Sequence, residues 1–94
     1  MSNHCNIQKY LAQAELLEFE TARREYLSGE NQLIRFQTRE AFGLFKISKD
    51  LLRGIKFYQT PNAENIIDNN EYSELFRSTV FGLAKCRLEE RAGW

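Results

Sequence analysis

Apolar residues recur along this chain mostly at three- and four-residue intervals, the period of an amphipathic helix. Ile7, Tyr10, Leu11, Ala14 and Leu17 form one stripe, widened by Leu16, Phe19, Tyr26 and Leu27. Together they predict a first helix over about 6–28, with Asn6 as N-cap and Gly29 at the left-handed position that ends helices. Glu20 precedes Arg24 by four residues, the favourable order for a helical ion pair. Tyr72, Leu75, Phe76, Thr79, Val80, Leu83 and Cys86 predict a last helix over about 69–91. Asp68 with Glu71 makes an acidic start to it. Gly93 and Trp94 suit a C′ glycine followed by an apolar residue folding back on the last turn. Thr60-Pro61 signals a break near Gln59–Thr60 and a short helix over Pro61–Ile67.

The middle of the chain supports two readings. As one helix over about 32–58 it presents Leu33, Phe36, Ala41, Leu44, Phe45, Ser48, Leu51, Leu52, Ile55 and Tyr58 on a broad face, weakened by Gly43 and Gly54. As two helices, Thr38 caps 39–45, Lys46-Ile47 forms a turn with Ile47 in the core, and Ser48 caps a helix from Lys49 to about Phe57. In that second reading, Ala41 after Glu40, Leu44, Ile47-Ser48, Leu52 and Ile55 resemble the helix-turn-helix of excisionase-type and MerR-type DNA-binding proteins. The resemblance covers fewer than 20 of 94 residues. It implies that Lys46, Lys49, Arg53 and Lys56 contact DNA. Lys46 stands where that turn usually has glycine, Gly54 falls inside the would-be recognition helix, and no basic wing follows.

Clean alternation is absent except at Leu33–Phe36, and no Asn-Gly or Asp-Gly turn occurs. The expected fold is therefore an all-α single domain spanning 1–94, a bundle of three main helices plus the short one, with residues 1–5 frayed. A composition of 43% hydrophobic and 28% charged residues belongs to a globular chain. The net charge is zero but uneven: residues 35–56 carry net +4 and residues 15–30 net −3. These stretches read as solvated faces that complement each other within the fold, with a nucleic-acid patch as the second reading.

Chemistry is sparse. His4 is the only histidine, Cys5 and Cys86 are the only cysteines, and zinc-ligand spacing is missing. The five glycines are isolated, so no phosphate-cradling loop is present. Glu15, Glu18, Glu20 and Glu25 lack the Glu-x-x-His partner of a di-iron bundle. The expectation is no catalysis, no cofactor and no metal. No signal peptide or membrane span is legible, so a cytoplasmic setting is expected. Seven Phe and four Tyr are more than a small domain easily hides. The sequence thus points to a regulator, inhibitor or adaptor, of bacterial or phage type, that binds a larger protein, with a homodimer as a further expectation. The contact candidates are Tyr26, Arg35, Phe36, Phe57, Tyr58, Phe81 and Trp94.

Overall fold

Three helices, α1 (Asn3–Ile34), α2 (Thr38–Gly54) and α3 (Asn69–Gly93), make up the computed structural model, which describes residues 3–56 and 67–93. Side chains are described for 10–56 and 67–90. Every element among the described residues is helical, as expected. The molecule is a rod of 61 × 17 × 14 Å. α2 runs antiparallel between α1 and α3 and packs on both, while α1 and α3 touch each other much less.

One spacing organises the interior. The inward positions are 12, 15, 19, 22, 26, 29 and 33 on α1; 38, 41, 45, 48, 52 and 55 on and just past α2; and 72, 75, 79, 82, 86 and 89 on α3. These alternating steps of three and four residues are the seam of coiled-coil-like packing. Many seam residues are small: Ala12, Ala22, Gly29, Ala41, Ser48, Thr79, Gly82 and Cys86 are all buried.

Seam residues meet in layers. In one, the Phe45 ring lies between two glycines. A Cβ added at Gly29 would come within 2.7 Å of the ring, and one at Gly82 within 2.8 Å. Ala41 and Cys86, with half-buried Leu33, Phe42 and Leu83, continue that cluster. In the next layer, the Ser48 hydroxyl donates to the Ala22 carbonyl at 2.8 Å and the Thr79 hydroxyl donates to the Leu75 carbonyl at 2.7 Å. Beyond it, Phe19, Ala22, Leu52, Ile55, Ile67 and Leu75 form a second cluster of mostly larger side chains. Tyr72 donates to the Leu52 carbonyl, and the Lys56 N–H donates to the Glu15 carboxylate, so the C-terminal end of α2 is tied to both neighbours.

Several expectations need correction. α1 does not end at Gly29; it continues to Ile34, because Gly29 serves close approach to Phe45 rather than a turn. Asn6 lies inside α1 rather than capping it. Tyr10, Leu11, Ala14, Leu17 and Leu27 are exposed, since the seam runs one or two positions away, through Ala12, Glu15, Phe19, Tyr26 and Gly29. Val80 is exposed as well. The middle of the chain is neither one helix over 32–58 nor two helices broken at 46–47. The break falls at 35–37, and α2 runs unbroken through Lys46 and Ile47. Ile47 is 49% exposed and plugs no core. Thr38 and Ser48 cap nothing: Thr38 donates across to Glu89 on α3 at 3.0 Å, and Ser48 is mid-helix. At the start of α3, Asp68 acts as N-cap, its carboxylate accepting from the Asn70 N–H at 2.7 Å, while the Glu71 carboxylate lies 3.6 Å from the Arg23 guanidinium on α1 instead of closing a capping box. Thr60-Pro61 and residues 61–66 of the short helix lie outside the described residues, and Ile67 is a buried bend.

Candidate interaction surfaces

Two apolar features stay uncovered. The first is the turn between α1 and α2. The Gln37 N–H bonds the Gln32 carbonyl at 2.8 Å and the Phe36 N–H bonds the Leu33 carbonyl at 3.0 Å. This is the Schellman arrangement, and it requires a left-handed residue at position 36. Phe36 occupies that position with φ 62°, the only non-glycine residue with positive φ among those described. A left-handed conformation costs a side-chain-bearing residue roughly 1–2 kcal/mol, and the ring recovers little of it, being 81% exposed. Ile34 is 75% exposed and Arg35 is exposed beside it. An outlier backbone presenting a bare aromatic ring points to a contact role more directly than ring or exposure alone.

The second is the groove between α1 and α3, opposite α2. Because these two helices barely meet, a groove forms with the buried Phe45 ring beneath it, Tyr26, Leu33, Phe81 and Gly82 as walls and Glu30, Arg77 and Lys85 around them. The space there is about 280 Å³. Tyr26 and Ser78 continue the groove toward Leu27, Leu75 and Glu74. Leu27 and Ile34 lie seven residues apart on α1, and Phe81 and Leu88 seven apart on α3, so each pair repeats on one side of its helix. All four are more than half exposed.

Tyr26 anchors the groove. Its ring meets Phe45 at 5.7 Å between centroids. Burial raises the phenol above its usual pKa, with further raising by the hydrogen bond to Glu30 and that carboxylate's charge, against lowering by a hydrogen bond from Ser78. Burial also raises the Cys86 thiol, helped by the charge of Glu89.

Of the residues singled out from the sequence, Tyr26 and Phe81 therefore share the groove, while Arg35 and Phe36 sit together at the turn. Lys85 covers part of Phe81, its ammonium 4.8 Å from the ring centroid. Phe57, Tyr58 and Trp94 lie outside the described residues. Lys46, Arg53 and Lys56 are exposed and Lys49 is half-buried, on one flank of α2 and not on a recognition helix after a turn. Sequence reasoning missed Ile34 and Leu88 and assigned Leu27 to the core. The signal was available: each falls off the seam spacing that its helix keeps.

Among the described residues no group of three or more His, Cys, Asp or Glu side chains could hold a metal ion, and no helix is long and apolar enough to cross a membrane. No family model, curated protein or solved structure matches the chain.

Proposed function

We propose that the chain is a small non-enzymatic protein that binds and modulates a larger protein partner through the α1/α3 groove and the adjoining turn. The observation that carries this reading is the set of large apolar side chains left bare there: Leu27, Ile34, Phe36, Phe81 and Leu88, each more than half exposed. An exposed apolar patch of this kind, rimmed by charges of both signs, is the usual mark of a protein-binding surface. Aromatic anchors such as Phe36 and Phe81 give large contact area for few rotatable bonds. Regulation, inhibition and adaptor action all use the same physics, and the groove favours none of them.

The test is affinity capture from a lysate of the source cells, with nuclease present, comparing the natural chain with the double variant Leu27→Ser/Phe81→Ser. A defined protein retained by the first and lost by the second supports the reading. Retention of the same protein by both, or of nucleic acid alone without nuclease, overturns it. Sedimentation of both chains adds the oligomeric state. A dimer dispersed by the double variant would make the partner a second copy.

A further inference from the structure

A second surface lies on α2 and follows from its spacing. The buried seam of α2 is 38, 41, 45, 48, 52 and 55; moving every position on by one residue gives Arg39, Phe42, Lys46, Lys49, Arg53 and Lys56. One residue is about 100° of helix rotation, so the first five side chains form a parallel stripe along one flank, and Lys56 follows just past the end of α2 at Gly54. Of the six, five are cations, one is aromatic and none is acidic. From Arg39 to Arg53 the helical part of the stripe spans 15 residues, a nearly straight line about 21 Å long. None of its five cations makes an ion pair among the described residues. The flank faces α3, since the Arg87 guanidinium lies 5.9 Å from the Phe42 ring centroid and Phe42 and Leu83 pack on the same cluster. The net −3 of residues 15–30 does not neutralise it. Two carboxylates of that stretch reach the extreme end of α2, Glu15 at the Lys56 backbone N–H and Glu18 beside Gly54.

We propose that this flank docks an acidic helix of a protein partner, with carboxylates at alternating three- and four-residue steps and an apolar residue placed to meet Phe42. Charge complementarity selects the occupant. A helix with that repeat sets a carboxylate about every 5 Å along its axis, the interval at which the α2 cations recur. Pairing across such rows is how charges flanking a helical seam choose partners. Duplex DNA fits less well. The groove that reads a helix is about 12 Å wide and needs that helix to project, whereas α2 lies packed between α1 and α3 rather than standing out from them. Duplex phosphates also wind away from a straight row. The proposal shares with the preceding section the premise of a protein partner, but uses a different surface.

The probe is a labelled synthetic peptide of about 20 residues, long enough to hold helix in water, with Glu at the stated steps and one Leu opposite Phe42. Fluorescence anisotropy at several salt concentrations reads its binding to the full chain. Expected are binding that weakens as salt rises, a loss of roughly tenfold or more in Lys46→Glu/Lys49→Glu/Arg53→Glu, and recovery when that variant meets a peptide with Lys in place of Glu. The charge-swap recovery separates lost pairing from lost folding. Leu27→Ser/Phe81→Ser should bind the acidic peptide unchanged, which keeps this result independent of the groove. Equal binding of a peptide of the same composition in scrambled order would overturn the proposal. So would no binding of the ordered peptide, or tight binding of a duplex oligonucleotide at physiological salt in its place.

Discussion

The two ends of the bundle interior solve the same packing problem in opposite ways. Around Leu52, most inward positions carry large side chains: Phe19, Leu52, Ile55, Ile67 and Leu75, with Tyr72 stacked between Phe19 and Phe76. Around Phe45, one ring fills the space and the facing positions, Gly29 and Gly82, carry no side chain. The first end shares its volume among many side chains and has several ways to readjust. The second concentrates it in one ring held by backbone on both sides, and backbone yields little. Packing density is therefore a distributed property at one end and a single fit at the other.

The largest expected effect is at the single fit. Phe45→Ala should cost about 3–5 kcal/mol, the usual range for emptying a buried aromatic site, measured as the shift in denaturation midpoint. Leu52→Met at the other end conserves volume and should cost under about 1.5 kcal/mol; equal losses at the two sites would erase the contrast. Next come the glycines. Gly29→Ala or Gly82→Ala should each lose roughly 1–3 kcal/mol through overpacking, less about 1 kcal/mol regained from helix propensity. Pairing either with Phe45→Leu should recover part of the loss, a non-additivity that a double-mutant cycle would read directly.

Exposed positions sharpen the comparison from outside. Gly43 sits mid-helix with nothing within 4 Å of an added Cβ. Gly43→Ala should therefore raise stability by about 1 kcal/mol, opposite in sign to the buried glycines. Phe36→Gly should also stabilise, by roughly 1 kcal/mol, by relieving the left-handed backbone, while weakening partner capture.

The smallest effect is in pH. The folded state raises the Cys86 thiol above its usual 9.0 and the Tyr26 phenol above its usual 10.0. Both groups are neutral when protonated, so the unfolded chain gives up their protons first as pH rises. Their contribution is fully present below pH 9 and declines above it, first through Cys86 and then through Tyr26. Cys86→Ala should remove the earlier part of that alkaline decline in a pH series of melting curves.

How much of this was legible depends on what counts as an apolar signal. α3 could be placed because Leu75, Phe76, Leu83 and the Asp68 cap speak the usual language. α1 was readable as a helix but not as a seam, because its inward positions include Ala12, Glu15, Ala22 and Gly29, none of which weighs heavily in a hydrophobic count. Gly29 mimicked a helix end, since only the partner ring explains it. The true end carries Phe36 where glycine is usual, so the commonest stop signal pointed at the wrong residue. Lys46-Ile47 contains no breaker, and the short resemblance to a DNA-binding turn could not override a sound helical repeat. The candidate surface was half legible. Surplus aromatics predicted exposure, but which of them faced solvent depended on a seam defined by residues with almost no side chain.

The layer at Phe45 has one further consequence, for register. A three-four repeat is nearly indifferent to sliding by seven residues, because every inward position then meets another inward position. Such a slip of α2 against α3 would set the ring against Leu75 or Glu89, and a slip against α1 in one direction would set it against Ala22. No seam position seven residues from Gly29 or Gly82 is another glycine. One aromatic and two missing side chains thus index three otherwise repetitive helices to each other, and a change at any of the three positions loosens the choice of alignment before it loosens the fold.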